Sequence, residues 1–153
     1  MATPRILVIA YGNPLRSDDG LAWRAAEKLA QLEFPENVEI VTHDQLTPEL
    51  ALAASEISFV LFLDAARPGM PGEIVSAEIR PERQPSIFTH DFSPGAILST
   101  AEELYGHCPE ALALSLVGEC FDHGETLSDK VKESMPKFVT LASEWIRKVA
   151  APQ

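Results

Sequence analysis

Ile6-Leu7-Val8-Ile9-Ala10-Tyr11-Gly12-Asn13-Pro14-Leu15-Arg16-Ser17-Asp18-Asp19-Gly20 is the stretch that decides the fold. A near-continuous apolar run stops at Gly-Asn-Pro, and two adjacent carboxylates follow before a helical pattern begins. Such a run, bounded by turn residues, reads as a strand buried on both faces, as in a parallel sheet. The turn after it then lies at the carboxyl end of a central strand, where open α/β sheets place ligands and chemistry. Asp18 or Asp19 is expected to start the helix, because carboxylates favour helix N-termini. Capping needs only one of them, which leaves the other to be explained.

Outward from this stretch, strands and helices alternate. Leu21, Ala25, Ala26, Leu29 and Leu32 have helical spacing, with Pro35 past the end. Val38 to Val41 reads as a short strand, and Thr47-Pro48 as the cap and first residue of a second helix. Phe59-Val60-Leu61-Phe62-Leu63-Asp64 repeats the buried-strand signal and again ends on a carboxylate. Glu73 to Ile79 alternates as an edge strand does. Ser93-Pro94 opens a helix that runs to about Tyr105 and stops at Gly106. Leu112 to Val117 is a late strand. Leu127-Ser128-Asp129 starts a last helix, whose apolar stripe contains Pro136, predicting a kink or a split first turn. This order predicts a three-layer α/β/α domain spanning residues 1–153, with about five mostly parallel strands and helices on both faces.

Composition narrows the function. A formal charge of −11 opposes nucleic acid or an anionic membrane as partner, since neutralising phosphates needs clustered Lys and Arg. No apolar run is long enough to span a bilayer, and Met1 to Arg5 leave no room for a signal peptide. A cytoplasmic location is expected. So is a monomer, because 153 residues can bury a sufficient core. The two cysteines, Cys108 and Cys120, lack CxxC spacing and read as reduced thiols.

Three side chains stand out for chemistry: Asp19 past the first strand, Asp64 at the end of the third, and His90 before the third major helix. Gathered at one rim, two carboxylates and an imidazole suit zinc, nickel or a similar divalent ion. Singly, each has a blander account, as a cap, a backbone acceptor or a surface histidine. His107, Cys108, Cys120 and His123 offer a rival ligand set, but adjacent His107 and Cys108 diverge, and thiols with surface histidines are the expected reading. His43, ending the second strand, reads as a loop residue near the rim.

The residues Arg5 to Gly20, with Gly12-Asn13-Pro14-Leu15 and the acidic pair, resemble the opening of the hydrogenase maturation endopeptidases. Phe62-Leu63-Asp64-Ala65-Ala66, Thr89-His90, Leu114-Ser115-Leu116-Val117-Gly118 and Leu127-Ser128 are similar to the family's later motifs, in order. The resemblance implies an enzyme that clips the C-terminal extension from a [NiFe] hydrogenase large-subunit precursor after nickel insertion. It carries the family's metal-contacting and catalytic positions onto Asp19, Asp64 and His90. It implies no permanent cofactor: the nickel comes with the substrate, and zinc or cadmium can stand in for it in isolation. Either the metal polarises the scissile carbonyl and activates water, or a carboxylate serves as general base. No Gly-x-Ser-x-Gly elbow is present.

Departures from the family pattern include Ala10 and Tyr11 before Gly12-Asn13, Ala22 for a frequent Gly, His43 to Pro48 for a Gly-rich turn, and no proline after Gly118. The alternative is a non-catalytic accessory protein that binds the nickel-loaded precursor or another metalloprotein. A small-molecule hydrolase is a third reading, without a nucleophile motif or phosphate-cradling loop to support it.

Overall fold

The computed structural model describes residues 3–82 and 92–151. Five strands, β1 (Ile6–Tyr11), β2 (Val38–His43), β3 (Phe59–Ala66), β4 (Ile74–Ile79) and β5 (Glu110–Val117), form one sheet in the order β2-β1-β3-β5-β4. All pairings are parallel except β4 on β5, so the alternating stretch is indeed the edge strand. Helices α1 (Leu21–Ala30) and α4 (Asp129–Ala150) pack on the face that carries Ile6, Val8, Leu61 and Leu63. Helices α2 (Leu50–Ser55) and α3 (Pro94–Tyr105) cover the face of Leu7, Ile9, Val60 and Phe62. The expected three-layer α/β/α architecture is the one observed. The connection from β1 to β2 runs through α1, and that from β2 to β3 through α2 on the opposite face. The strand order therefore reverses between β1 and β3, the switch point at which such sheets open a crevice.

Local signals account for most boundaries. The Ser93 hydroxyl accepts from the Ala96 N–H at 3.1 Å, Pro94 occupies the first turn, and Gly106 ends α3 in the left-handed region at φ 76°. Three expectations need correction. Thr47 does not cap a helix: its side chain pairs with Glu49, and α2 begins at Leu50 after two turns closed by Thr47 and Pro48 carbonyls. Neither Asp18 nor Asp19 caps α1, because both lie in a 3₁₀ turn, Ser17–Gly20, ahead of it. Of the two outcomes expected at Pro136, the split first turn does not occur: the last helix is continuous from Asp129 to Ala150. A proline in a helix interior costs about 3 kcal/mol. Burying one large apolar side chain contributes about 1.5–3 kcal/mol, and Val131, Met135, Phe138 and Ile146 are all buried around it. Packing wins. No helix among the described residues is long and apolar enough to cross a membrane.

Candidate active site

The adjacent carboxylates of the opening stretch separate completely in space. Asp18 is fully buried. It accepts hydrogen bonds from the backbone N–H groups of Glu119 at 2.8 Å, Cys120 at 3.0 Å and Ser128 at 2.8 Å, and from the Ser128 hydroxyl at 2.7 Å. Burial alone would raise its pKa, but these four donors outweigh it and hold the carboxyl below its ordinary range. Asp18 thereby ties the β1–α1 turn to the loop after β5 and to the start of α4. Ser128 stands at the N-cap of α4, where its carbonyl accepts from the Lys132 N–H at 2.9 Å, but its side chain makes no cap bond because the hydroxyl is committed to Asp18.

Asp19 turns the other way. One of its oxygens accepts from the Asn13 N–H at 2.8 Å, which folds the turn back under the carboxylate. Gly12 makes this possible: it sits at φ +143°, and a Cβ there would lie 2.0 Å from the Asp19 carbonyl oxygen. Asp19 remains half-buried at the rim.

Asp64 ends the buried part of β3, on the α2–α3 side of the sheet. Ala10 pairs with Leu63, so Tyr11 and Asp64 are next in register, and Asp64 pairs directly with Ser115 on β5. In a parallel sheet such partners share a face. Accordingly the Tyr11 hydroxyl donates to Asp64 Oδ2 at 3.1 Å, and the Ser115 hydroxyl donates to Oδ1. Burial pushes the Asp64 carboxyl above its ordinary range; the two hydroxyls pull it back, and the negative charge of Asp19 adds to the rise. Burial, followed by the charge and hydrogen bond of Asp64, likewise holds the Tyr11 phenol protonated. Tyr11 and Ser115 join Asp64 without a sequence motif of their own. The signal lay in register: Ser115 is the polar residue inside Leu112 to Val117, and Tyr11 closes the first apolar run.

His90, the third expected site residue, lies outside the described residues. Phe92, two residues after it in sequence, packs against the α2–α3 core. Among the described residues no three His, Cys, Asp or Glu side chains gather as a metal site. The rival ligand set is separated: His107 and Cys108 precede β5, whereas Cys120 and His123 follow it, and an eight-residue strand spans about 25 Å. Cys108 and Cys120 are free thiols. His43 ends β2 beside Tyr11, and its carbonyl accepts from Gly12 N–H at 3.1 Å and from the Trp23 indole N–H at 3.2 Å.

Two interacting carboxylates thus meet at the switch point of an α/β/α sheet, the place where such sheets hold ligands. No protein-family model matches the sequence, and no curated protein matches it significantly. Solved structures do. The chain is similar to the hydrogenase maturating endopeptidase HybD from E. coli, with a TM-score of 0.79 and 24% identity over 94% of this chain and 93% of that one. It is similar to the [NiFe] hydrogenase maturation protease HybD from Thermococcus kodakarensis, with a TM-score of 0.70 and 26% identity over 93% of this chain and 99% of that one. The [NiFe] hydrogenase maturation protease HycI from Thermococcus kodakarensis KOD1 matches with a TM-score of 0.73 and 22% identity, over 94% and 93%. The chain has the fold of the hydrogenase maturation endopeptidases, and its resemblance to them extends from the opening motif to more than nine-tenths of its length.

Proposed function

We propose that the protein is an endopeptidase that removes the C-terminal extension of a [NiFe] hydrogenase large-subunit precursor once nickel has been inserted. The observation that carries this reading is Asp64: a carboxylate at the end of a central strand, oriented by two hydroxyls, with raised proton affinity beside a second carboxylate. Asp19, Asp64 and His90 contact the nickel that the substrate already holds. Carboxylate oxygens and an imidazole are suitable donors for that ion. An incomplete set binds a free ion weakly and engages firmly only an ion that arrives partly coordinated, so the protein keeps no metal of its own. Water attacks the scissile carbonyl carbon; Asp64 takes its proton and delivers it to the departing amine as the C–N bond breaks.

The test is the intact mass of a nickel-loaded precursor before and after mixing with the protein, with nickel-free precursor alongside. Loss of a C-terminal peptide only from the nickel-loaded form is the expected result. Loss from both forms would remove the nickel requirement. Nickel-dependent association without any loss would identify an accessory binder instead.

A further inference from the structure

Phe121, in the loop after β5, is held by arginines from two other loops at the carboxyl rim. The Arg67 guanidinium lies 4.0 Å from the centre of its ring, and Arg16 Nε–H donates to its carbonyl at 3.2 Å. Gly118 leaves the space the ring needs, since a Cβ there would lie 2.6 Å from Phe121 Cζ. Arg67 follows Asp64 by three residues, and Arg16 precedes Asp19 by three. Both arginines are exposed. The chain has 23 acidic residues against 12 Lys and Arg, and Glu119 and Asp122 lie within two residues of Phe121 in sequence. Yet among the described residues the ion pair within 4.0 Å is Arg80–Glu78, at the far edge strand, and neither rim arginine takes part in one. Leu15 and Met70, in the same two loops, are 58% and 76% exposed.

Resting on the endopeptidase reading, we propose that Arg16 and Arg67, presented on Phe121, grip a carboxylate of the precursor's C-terminal segment beside the cleavage point. A guanidinium laid flat on a ring keeps its N–H edge for a bidentate carboxylate and loses less freedom on binding than a mobile side chain. On an acidic protein that repels an anionic segment at long range, these two cations, unpaired among the described residues, lower that repulsion at the rim and favour docking there. Leu15 and Met70 supply apolar contact for the residues around that carboxylate. The carboxylate is either an Asp or Glu side chain or the chain terminus of the extension.

The test measures association and dissociation rates of the nickel-loaded precursor with the protein, and reads cleavage by mass in the same mixtures. Arg16→Ala combined with Arg67→Ala should slow association about tenfold at low salt, with the difference vanishing at high salt. Arg67→Lys should restore association but not slow dissociation, because it keeps the charge and loses the fork. Arg147→Ala, which removes the stack on Phe34 far from the rim, should change neither rate. Unchanged rates in the double variant, or equal slowing by Arg147→Ala, would overturn the proposal, whether or not the precursor is cut. Slowed association without cleavage would uphold it and overturn the endopeptidase reading. Changing the extension's Asp and Glu to Asn and Gln, or lengthening the extension with uncharged residues, should abolish sensitivity to Arg67 in one case and so locate the carboxylate. Sensitivity that survives both would overturn the assignment to this segment.

Discussion

Asp18 and Asp64 are carboxylates at the same edge of one sheet, and their surroundings drive them in opposite directions. Asp18 has no exposed surface, yet it is held ionised, because four donors converge on it. Asp64 is partly open, has two donors and faces the charge of Asp19, and its proton affinity rises. The balance of donors against burial and neighbouring charge sets the two carboxyls apart: four donors outweigh burial at Asp18, whereas two do not at Asp64. Asp18 closes the loops of the rim; Asp64 stands at the strand end beside them, held by Tyr11 and Ser115.

The strongest way to break this contrast is to remove the structural carboxylate. Asp18→Ala leaves four donors without their acceptor and should cost about 3–5 kcal/mol. A thermal melt should fall by about 10 °C; a fall of one or two degrees would show that the tie is dispensable. Ser128→Ala removes one donor of the four and should cost about 1–2 kcal/mol, read as a shift in denaturant midpoint at constant slope.

The smallest effect has the opposite sign and sharpens the comparison most. Asp64→Asn removes a partly buried charge beside Asp19, so it should raise the melting temperature by about 1–3 °C at neutral pH. The two carboxylates then separate by pH. The folded pKa of Asp18 is lowered, so its contribution is present above the ordinary carboxylate range and is lost as pH falls through that lowered value. The folded pKa of Asp64 is raised, so its contribution is present in acid and is lost as pH rises through it. The advantage of Asp64→Asn should therefore shrink as the solution is acidified, while the penalty of Asp18→Ala shrinks only at still lower pH. Melts of both variants across pH 2 to 8 check both signs (the span of the carboxylate range).

The sheet was legible because its signals are local. Ile6 to Ala10 and Phe59 to Leu63 are continuous apolar runs, and Ser93-Pro94 with Gly106 mark both ends of α3. From the alternation of elements follow the layers, and from the ends of β1 and β3 follow the positions of Asp19 and Asp64. What stayed hidden depends on pairing across the chain. The partners of Asp18 lie 101 to 110 residues away, so no spacing rule divides its role from that of Asp19. Tyr11 and Ser115 join Asp64 only through register. Thr47 misled because its side chain found Glu49 rather than the helix N–H groups, a competition that favourable cap chemistry alone does not resolve.

The most direct measurement compares Asp18→Asn and Asp64→Asn in cleavage of the nickel-loaded precursor, with each rate divided by the fraction of protein folded under the assay conditions. Asp18→Asn should keep wild-type activity per folded molecule, and Asp64→Asn should lose at least about a thousandfold, as removal of a group serving as both base and acid should. Wild-type cleavage by folded Asp64→Asn would contradict that role.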